Sequence, residues 1–356
     1  MPNRPSLLYG ILFTAGLALS AGVASAQAHP IVASLCFERF KSNMEALAEF
    51  GDRSSFSEGN PLAEDWLEGE LQAMGYDVER MPFAFSDETR DNIWATKVGT
   101  VHPDKMHIVS AHLDGRGGGG AVDDDASGTS LVLEIARALA GDDVLSETSV
   151  RFILWNIEEA GLIGSQAYVE QRASLQGVET PPGSGLYPEP TWLGIIQHDM
   201  ILYDHGVPPQ PEQIPGADLD IEYKRGSALW LESKELAEAV LRGNVEHSTD
   251  YPAQIGDEMC CTDSVSFDDL TAAVSVRENR GQSEIGVGSN PHQHQPTDVM
   301  STFSEADFRF GFNDVQMTLG AIIELAGVAE NPALFDDGFE DGDTSAWSIT
   351  VGVPAP

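Results

Sequence analysis

Two apolar runs in this chain are each followed directly by metal-binding residue types. The run from Met106 to Ala111 predicts a buried strand that delivers His112 at its carboxyl end. The run from Val150 to Ile157 predicts a second buried strand, which delivers Glu158 and Glu159. Because sites in open α/β sheets gather outside the carboxyl ends of the strands, we expect these polar groups at one edge of one sheet.

A third acidic cluster stands where a loop enters a helix. Asp123, Asp124 and Asp125 precede an apolar repeat at helical spacing, formed by Leu131, Ile135 and Leu139. Carboxylates crowded into one pocket repel one another and resist ionisation, and a pair of divalent cations would remove that cost. Histidine together with Asp and Glu suits zinc, and a carboxylate that uses both oxygens can bridge two ions. The alternative is solvated acidic loops in a very acidic protein.

Two further patterns predict helices that frame the strands. Asn60 and Pro61 predict a helix start, and the stripe that follows predicts its core face: Leu62, Trp66, Leu67, Leu71 and Met74, closed by Gly75. Ser304 with Asp307 predicts the start of a final helix, whose stripe is Phe308, Phe312, Val315, Leu319 and Ile322. Strands and helices alternate between these two, so we expect one α/β domain.

Several motifs, taken in chain order, resemble a known enzyme family. They are His112-Leu113-Asp114, Asp124 within Asp-Asp-Ala-Ser-Gly, the stretch from Glu158 to Ser165, Asp199 in His-Asp-Met, and His294 in the stretch from Asn290 to Asp298. Together they resemble the two-zinc aminopeptidases of the bacterial leucyl aminopeptidase and aminopeptidase S type, over roughly residues 37 to 328. The resemblance implies a single-domain α/β fold with a mixed, mostly parallel central sheet flanked by helices, the phosphorylase/hydrolase-like fold of zinc exopeptidases.

The same resemblance implies a ligand set for two zinc ions. It assigns His112 and Asp199 to one Zn²⁺, Glu159 and His294 to the other, and Asp124 to a bridge between them. Asp114 would take the free imidazole N–H of His112 and fix its tautomer, as outer carboxylates commonly do for metal-bound histidine.

The chemistry implied is hydrolysis of the N-terminal peptide bond of a peptide. The nucleophile would be a hydroxide that bridges the two zinc ions, and a base is still needed to move its proton to the leaving amine. Glu158 adjoins a ligand without being one, and we predict that it is this general base. A surface acid beside a ligand is the alternative interpretation of Glu158.

Several assignments remain open in the sequence. Asp123 and Asp125 compete with Asp124 for the bridge, and Asp124 is preferred because it stands three residues before Ser127, as the family's bridging residue does. Asp204 competes with Asp199, which lies forty residues after Glu159, and a loop inserted from Arg172 to Pro190 would explain that gap. His292 competes with His294, which has the spacing to Asp298 that the family shows. Arg277 and Arg280 are candidates to stabilise an oxyanion, and Tyr203, Met259 and Phe267 flank motif positions.

The first 26 residues predict export, and the last residues predict a tail. Residues 1–26 predict a signal peptide, with one cation, Arg4, an apolar run, and Ala24-Ser25-Ala26 as the cleavage site. The zinc peptidase domain would span residues 27–328, and residues 329–356 would form an acidic tail, solvated or calcium-binding. We expect a secreted or periplasmic protein. Its formal charge of −38 disfavours nucleic acid and anionic membranes as partners and favours peptides with a free, cationic N-terminus.

Three cysteines leave the disulfide pattern open. Cys36 could pair with Cys260 or Cys261, or the two adjacent cysteines could form a strained vicinal bond. The sequence also leaves open the side-chain specificity and the oligomeric state.

Three functions are compatible with the motifs. The preferred one is a metallo-exopeptidase, a secreted zinc aminopeptidase. The second is a reaction on the same fold, either a glutaminyl cyclase-like transferase or a carboxypeptidase; one zinc per chain would favour the cyclase. The third is a peptidase-like binding ectodomain without metals, which would have no need of Glu158 beside Glu159.

Overall fold

The computed structural model of the protein describes residues 29–203, 219–248, 250–278 and 290–331. The helices are α1 (Pro30–Ala33), α2 (Phe37–Glu49), α3 (Gly59–Ala73), α4 (Gly128–Leu139), α5 (Ile163–Arg172), α6 (Trp230–His247) and α7 (Glu305–Ala326). The strands are β1 (Val78–Phe85), β2 (Glu88–Lys97), β3 (His102–His112), β4 (Val144–Leu145), β5 (Thr148–Trp155), β6 (Thr191–His198), β7 (Leu219–Tyr223), β8 (Ala253–Glu258), β9 (Ala273–Arg277) and β10 (Ala329–Glu330). The predicted signal peptide and residues 332–356 of the predicted tail lie outside the described residues.

Eight of these strands form one mixed sheet in the order β1-β2-β5-β3-β6-β9-β7-β8. The four central strands β5, β3, β6 and β9 run parallel, and β7 with β8 adds a further parallel pair. Antiparallel pairs join β1 to β2, β2 to β5, and β9 to β7. This confirms the predicted mixed, mostly parallel sheet. A second, two-stranded sheet pairs β10 with β4, so Ala329 and Glu330 belong to the folded body.

Side chains alternate between two cores, one on each face of the sheet. Phe152 and Val109 point into the larger core, which α2, α3, α4, α6 and α7 cover. Ile108 and Ile153 point into the smaller, aromatic-rich core, which α5 and a short 3₁₀ turn at Asp263–Phe267 cover. Since both faces are covered, the buried parts of the central strands are mostly apolar, which explains the apolar runs that the sequence shows within β3 and β5.

The two framing helices differ in how well the sequence predicted them. Helix α7 begins as expected, because Ser304 and Asp307 form a capping box. Helix α3 begins at Gly59, and the prediction that Asn60 caps it is wrong. The Asn60 side-chain amide donates instead to the Arg53 carbonyl and to Asn156 Oδ1, so a tertiary contact takes the place of a cap. Leu62, expected in the core, is 52% exposed.

The expected insertion after α5 is a loop that a buried carboxylate fastens to the sheet. After Leu175, residues 176–190 contain no helix or strand. Glu189 is fully buried at the end of this loop and accepts hydrogen bonds from Arg151, Arg172 and Tyr168. The loop therefore lengthens the path to β6 without disturbing the sheet.

No helix of the described chain is long and apolar enough to cross a membrane.

One buried histidine of β3 gives the fold a testable pH dependence. Burial lowers the pKa of His107 to about 4, below its usual 6.5, so the folded protein keeps this ring neutral where the unfolded chain protonates it. The contribution of His107 to the free energy of unfolding is complete at pH values above the unfolded-state pKa, and it is lost as the pH falls toward the folded-state pKa. Between pH 7.5 and pH 5 the free energy of unfolding should therefore fall by about 2 kcal/mol.

We expect His107→Gln to lose less stability over that interval than the wild type, measured by urea unfolding at both pH values. His102→Gln, at an exposed histidine of the same strand, is the control. An unchanged pH dependence in His107→Gln would contradict the prediction.

Candidate metal centre

Three parallel strands end side by side and present the site residues from one edge of the sheet. Strand β3 ends at His112, which lies in register with Trp155 at the end of β5. Glu158 and Glu159 follow β5 within four residues, and Asp199 follows directly after β6. The parallel direction of these strands brings the three segments together, as the apolar runs predicted.

Two groups of potential metal ligands share one residue. His112, Asp124 and Asp199 form the first group, and all three side chains are buried. His112 Nε2 lies 3.2 Å from Asp124 Oδ1 and 3.8 Å from Asp199 Oδ1. Asp124, Glu159 and His294 form the second group. His294 Nε2 lies 2.9 Å from Glu159 Oε2 and 3.2 Å from Asp124 Oδ2. Asp124 turns one oxygen toward each group, which is the arrangement that a bridging carboxylate needs.

The three adjacent aspartates have different surroundings. Asp123 accepts from the Leu202 amide and from the Asn290 side chain. Asp125 accepts from the amides of His112, Gly128 and Met200. Only Asp124 of the three joins both ligand groups. Burial raises the pKa values of Asp123 and Asp125 well above the usual range. Burial opposes ionisation of Asp124 too, but the adjacent imidazoles of His112 and His294 outweigh it and lower its pKa.

Asp114 contacts the His112 ring and the chain segment that carries Glu158 and Glu159. Its Oδ1 lies 3.4 Å from His112 Nδ1, and its two carboxylate oxygens accept the backbone amides of Glu158 and Glu159. The His112 ring nitrogen also lies 3.2 Å from the Asp114 carbonyl oxygen. Asp114 thus stands where the sequence predicted it, beside the nitrogen that does not face Asp124, and it also holds the chain segment that carries the glutamates.

Glu158 faces the same space without joining either ligand group. It is 9% exposed and lines the cavity beside the ligands. Burial, with repulsion from Asp199 and Asp263 only partly offset by His112, raises the pKa of this carboxyl group to about 10. Cationic charge beside it would restore the ionised form, because it stabilises the carboxylate. Glu158 must be ionised to act as a base, and this requires positive charge nearby.

The unsatisfied atoms of the site fit metal ions. His112 Nε2, Asp124 Oδ2 and Glu159 Oε1 are buried and have no hydrogen-bond partner in the described chain. A single proton on an imidazole can bond one acceptor well, whereas each Nε2 here faces carboxylates from at least two residues. A divalent cation in each of the two ligand groups would satisfy these atoms. Imidazole with carboxylate is a donor set that zinc accepts.

A cavity of about 430 Å³ opens over these ligands. Its buried members are Asp124, Asp199, Glu158 and Arg277, and its more exposed members are Arg116, Glu159, Gly161, Leu162, Cys261, Gln293 and His294. The buried carboxylates therefore lie at the floor, and the exposed residues Arg116, Gly161 and Cys261 lie toward the mouth. Cys36, Cys260 and Cys261 are all free thiols, so neither disulfide that the sequence left open is formed.

Some functional contacts were not predicted from the sequence. Arg277 Nη2 lies 3.2 Å from Asp199 Oδ2, so this arginine holds a candidate ligand in addition to lining the cavity. Asp298 accepts the amides of Asp123 and Asp124, although the sequence used it only as a spacing mark. Contacts of this kind join residues that are far apart in the chain, and no local pattern signals them.

Other candidates from the sequence lie outside the two ligand groups or outside the described residues. His292 bonds Thr297 through Nδ1 and belongs to neither group. Met259, Phe267 and Tyr203, which flank motif positions in the sequence, are buried and do not line the cavity. Asp204 and Arg280 lie outside the described residues.

Comparison with known sequences identifies relatives for this part of the chain. The family described as Peptidase family M28 matches residues 92–309, a range that contains all seven candidate site residues. The "Leupeptin-inactivating enzyme 1" of Streptomyces exfoliatus is 30% identical over 177 residues, which are 48% of this chain and 40% of that protein. The chain thus spans about two fifths of the length of this curated relative.

Comparison with solved structures finds the same fold in two kinds of protein. BSAP, a zinc aminopeptidase from Bacillus subtilis, matches with a TM-score of 0.62 at 15% identity, over 83% of this chain and 96% of that one. The glutaminyl cyclase of Porphyromonas gingivalis matches with a TM-score of 0.56 at 19% identity, over 80% of this chain and 98% of that one. At such low identity these matches establish the fold alone.

Proposed function

Because this chain belongs to peptidase family M28, we propose that it is a zinc-dependent aminopeptidase that removes the first residue from peptides with a free N-terminus. His112, Asp124 and Asp199 would hold one ion, and Asp124, Glu159 and His294 would hold a second. The observation that carries the proposal is the pair of ligand groups joined through Asp124, with buried, unpartnered ligand atoms in both.

The zinc ions and the protein side chains would have different roles in catalysis. Zinc supplies Lewis acidity, which polarises the scissile carbonyl and lowers the pKa of water. Glu158 would take a proton from the attacking water and pass it to the leaving amine. Asp114 would keep the His112 ring in position, and Arg277 would hold Oδ2 of Asp199. The carboxylates on the cavity floor would bind the substrate's ammonium group.

Export is a further part of the proposal. Residues 1–26 have the charge, apolar run and small-residue end of a cleavable signal peptide. Removing them also removes Arg4 and changes the formal charge from −38 to −39. The mature enzyme would begin near Gln27 and act outside the cytoplasm, with residues 332–356 as an acidic tail.

A matched pair of substrates tests exopeptidase action. Acetylating the N-terminus of a peptide removes its positive charge, adds bulk at the closed end of the cavity and leaves buried acceptors unpaired. A lost charged hydrogen bond costs about 1.5–3 kcal/mol and the clash adds to it, so release of the first residue should fall by well over tenfold. The measurement is initial rate with the free and the acetylated peptide of one sequence.

One outcome of that comparison, and one outcome of a separate assay, would contradict the proposal. Equal cleavage of both peptides would mean that the amine is not recognised, and an endopeptidase or carboxypeptidase would explain the site better. Ammonia released from a peptide with N-terminal glutamine, without release of the first residue, would instead indicate a cyclase. That result deserves an explicit assay because the cyclase fold matches 80% of this chain.

A further inference from the structure

The loop that follows Asp114 places an arginine at the mouth of the cavity. Arg116 is exposed and lines the cavity together with His294 and Gln293. Within the described ranges it makes no ion pair or hydrogen bond. This is unusual for a cation in a chain with 57 acidic and 19 basic residues, where most arginines of the described chain bind a carboxylate.

The backbone on both sides of Arg116 is fixed by close packing. A Cβ atom on Gly117, whose φ is +95°, would lie 2.4 Å from the His294 carbonyl carbon, so only glycine fits there. A Cβ atom on Gly115 would lie 2.3 Å from the Ala121 side chain, and the Gly115 amide donates to the Arg53 carbonyl. Arg116 is thus anchored beside a candidate metal ligand while its side chain remains free to bind.

The proposed function already assigns a role to each of the other charged residues described in the cavity. Asp124, Glu159 and Asp199 are ligands, Glu158 moves the proton, and Arg277 is bonded to Asp199. Among the described residues that line the cavity, Arg116 is the remaining charged one. Since the first residue of the substrate must reach the floor, the residues after the cleaved bond lie toward the mouth, where Arg116 stands. A guanidinium group binds a carboxylate through two parallel hydrogen bonds, and the geometry of its fork suits that partner.

We infer that Arg116 selects substrates with a carboxylate just beyond the cleaved bond, either an acidic side chain on the second residue or the free C-terminus of a dipeptide. The inference rests on the proposed aminopeptidase activity. It makes Arg116 a specificity residue that contacts the substrate after the scissile bond, and it requires no part of Arg116 in bond cleavage.

Three dipeptides of nearly equal size separate the two sources of the carboxylate. Leu-Gln-amide carries none, Leu-Gln carries a C-terminal one, and Leu-Glu-amide carries one on its side chain. The zinc-loaded wild type should cleave at least one of the two anionic dipeptides with a kcat/KM about three- to tenfold above that of Leu-Gln-amide. The preference should lie mainly in KM, as expected for a contact made equally in the ground state and the transition state.

Variants of Arg116 then test whether this residue is the cause. In Arg116→Gln the preference ratio should fall to about one, and Arg116→Lys, which keeps the charge without the fork, should retain part of it. Arg242→Gln is the matched control, because Arg242 is an exposed arginine that binds Glu324 between α6 and α7. Its preference ratio should equal that of the wild type.

The outcomes separate this inference from the proposed function. Equal cleavage of all three dipeptides, or a preference that persists in Arg116→Gln, overturns the role of Arg116 and leaves the aminopeptidase standing. Failure of the zinc-loaded enzyme to hydrolyse any of the three overturns the aminopeptidase itself, and the role of Arg116 with it.

Discussion

Glu158→Gln should fold, keep its metal content and lose roughly 10²–10⁴-fold in kcat, the usual range for removal of a general base. Glutamine has nearly the shape of glutamate but cannot accept the proton of the attacking water. Glu158 belongs to neither ligand group, and its backbone amide remains bonded to Asp114. The substitution therefore separates proton transfer from metal binding.

The measurement pairs turnover of a leucyl chromogenic substrate with metal analysis of the same preparation. Glu170→Gln, at an exposed glutamate of α5, is the control and should match the wild type in both. Near-normal turnover in Glu158→Gln would refute its role as the base. Loss of metal together with activity would instead make Glu158 a ligand.

The shared position of Asp124 predicts an unequal effect of ligand substitutions on metal content. The intact protein should bind two zinc ions at saturation. His112→Ala and His294→Ala each remove a ligand from one group, so each variant should retain about one tightly bound ion. Asp124→Ala weakens both groups together and should bind less than either. All three variants should be nearly inactive, because the carbonyl and the water both depend on the ions.

Elemental analysis after equilibration with excess zinc gives the stoichiometry. His292→Ala is the matched control, since His292 lies two residues from His294, binds Thr297 and belongs to neither ligand group. It should retain two ions and full activity. At most one ion in the intact protein would contradict the two-metal site, and loss of an ion in His292→Ala would reverse the choice between the two histidines.

The strand ends were predictable because their signal is local. A strand buried on both faces is mostly apolar, so the metal-binding residue types that follow the runs 106–111 and 150–157 mark the sheet edge. The helix that begins at Ser304 was predictable for a similar reason, since its capping box lies within four residues. Where tertiary contacts compete, local signals fail. Asn60 has the preferred chemistry of a cap, but Asn156 and the Arg53 carbonyl bind its side chain instead.

The arrangement of the acidic triplet could not be derived from residue chemistry. Asp123, Asp124 and Asp125 are chemically identical, and the backbone decides which one faces the ligands. Asp124 and Asp125 have non-helical dihedral angles, with φ of −111° and −138°, at the entry to α4. Family spacing favoured Asp124, whereas the identities of the amides that bind Asp123 and Asp125 come from the folded chain alone. The same holds for Arg116, whose place at the mouth depends on packing against the His294 loop.

Three carboxylates outside the ligand set tie the ligand segments to one another. Asp125 binds the His112 amide, Asp298 binds the Asp124 amide, and Asp114 binds the Glu159 amide. Each of these three ligands is thus held in place by an acid from a different stretch of chain. In a deep mutational scan scored for activity, positions 114, 125 and 298 should be as intolerant as the ligands, including to the isosteric change of Asp to Asn. A map of mutational tolerance would therefore outline a functional unit larger than the residues that touch zinc or substrate.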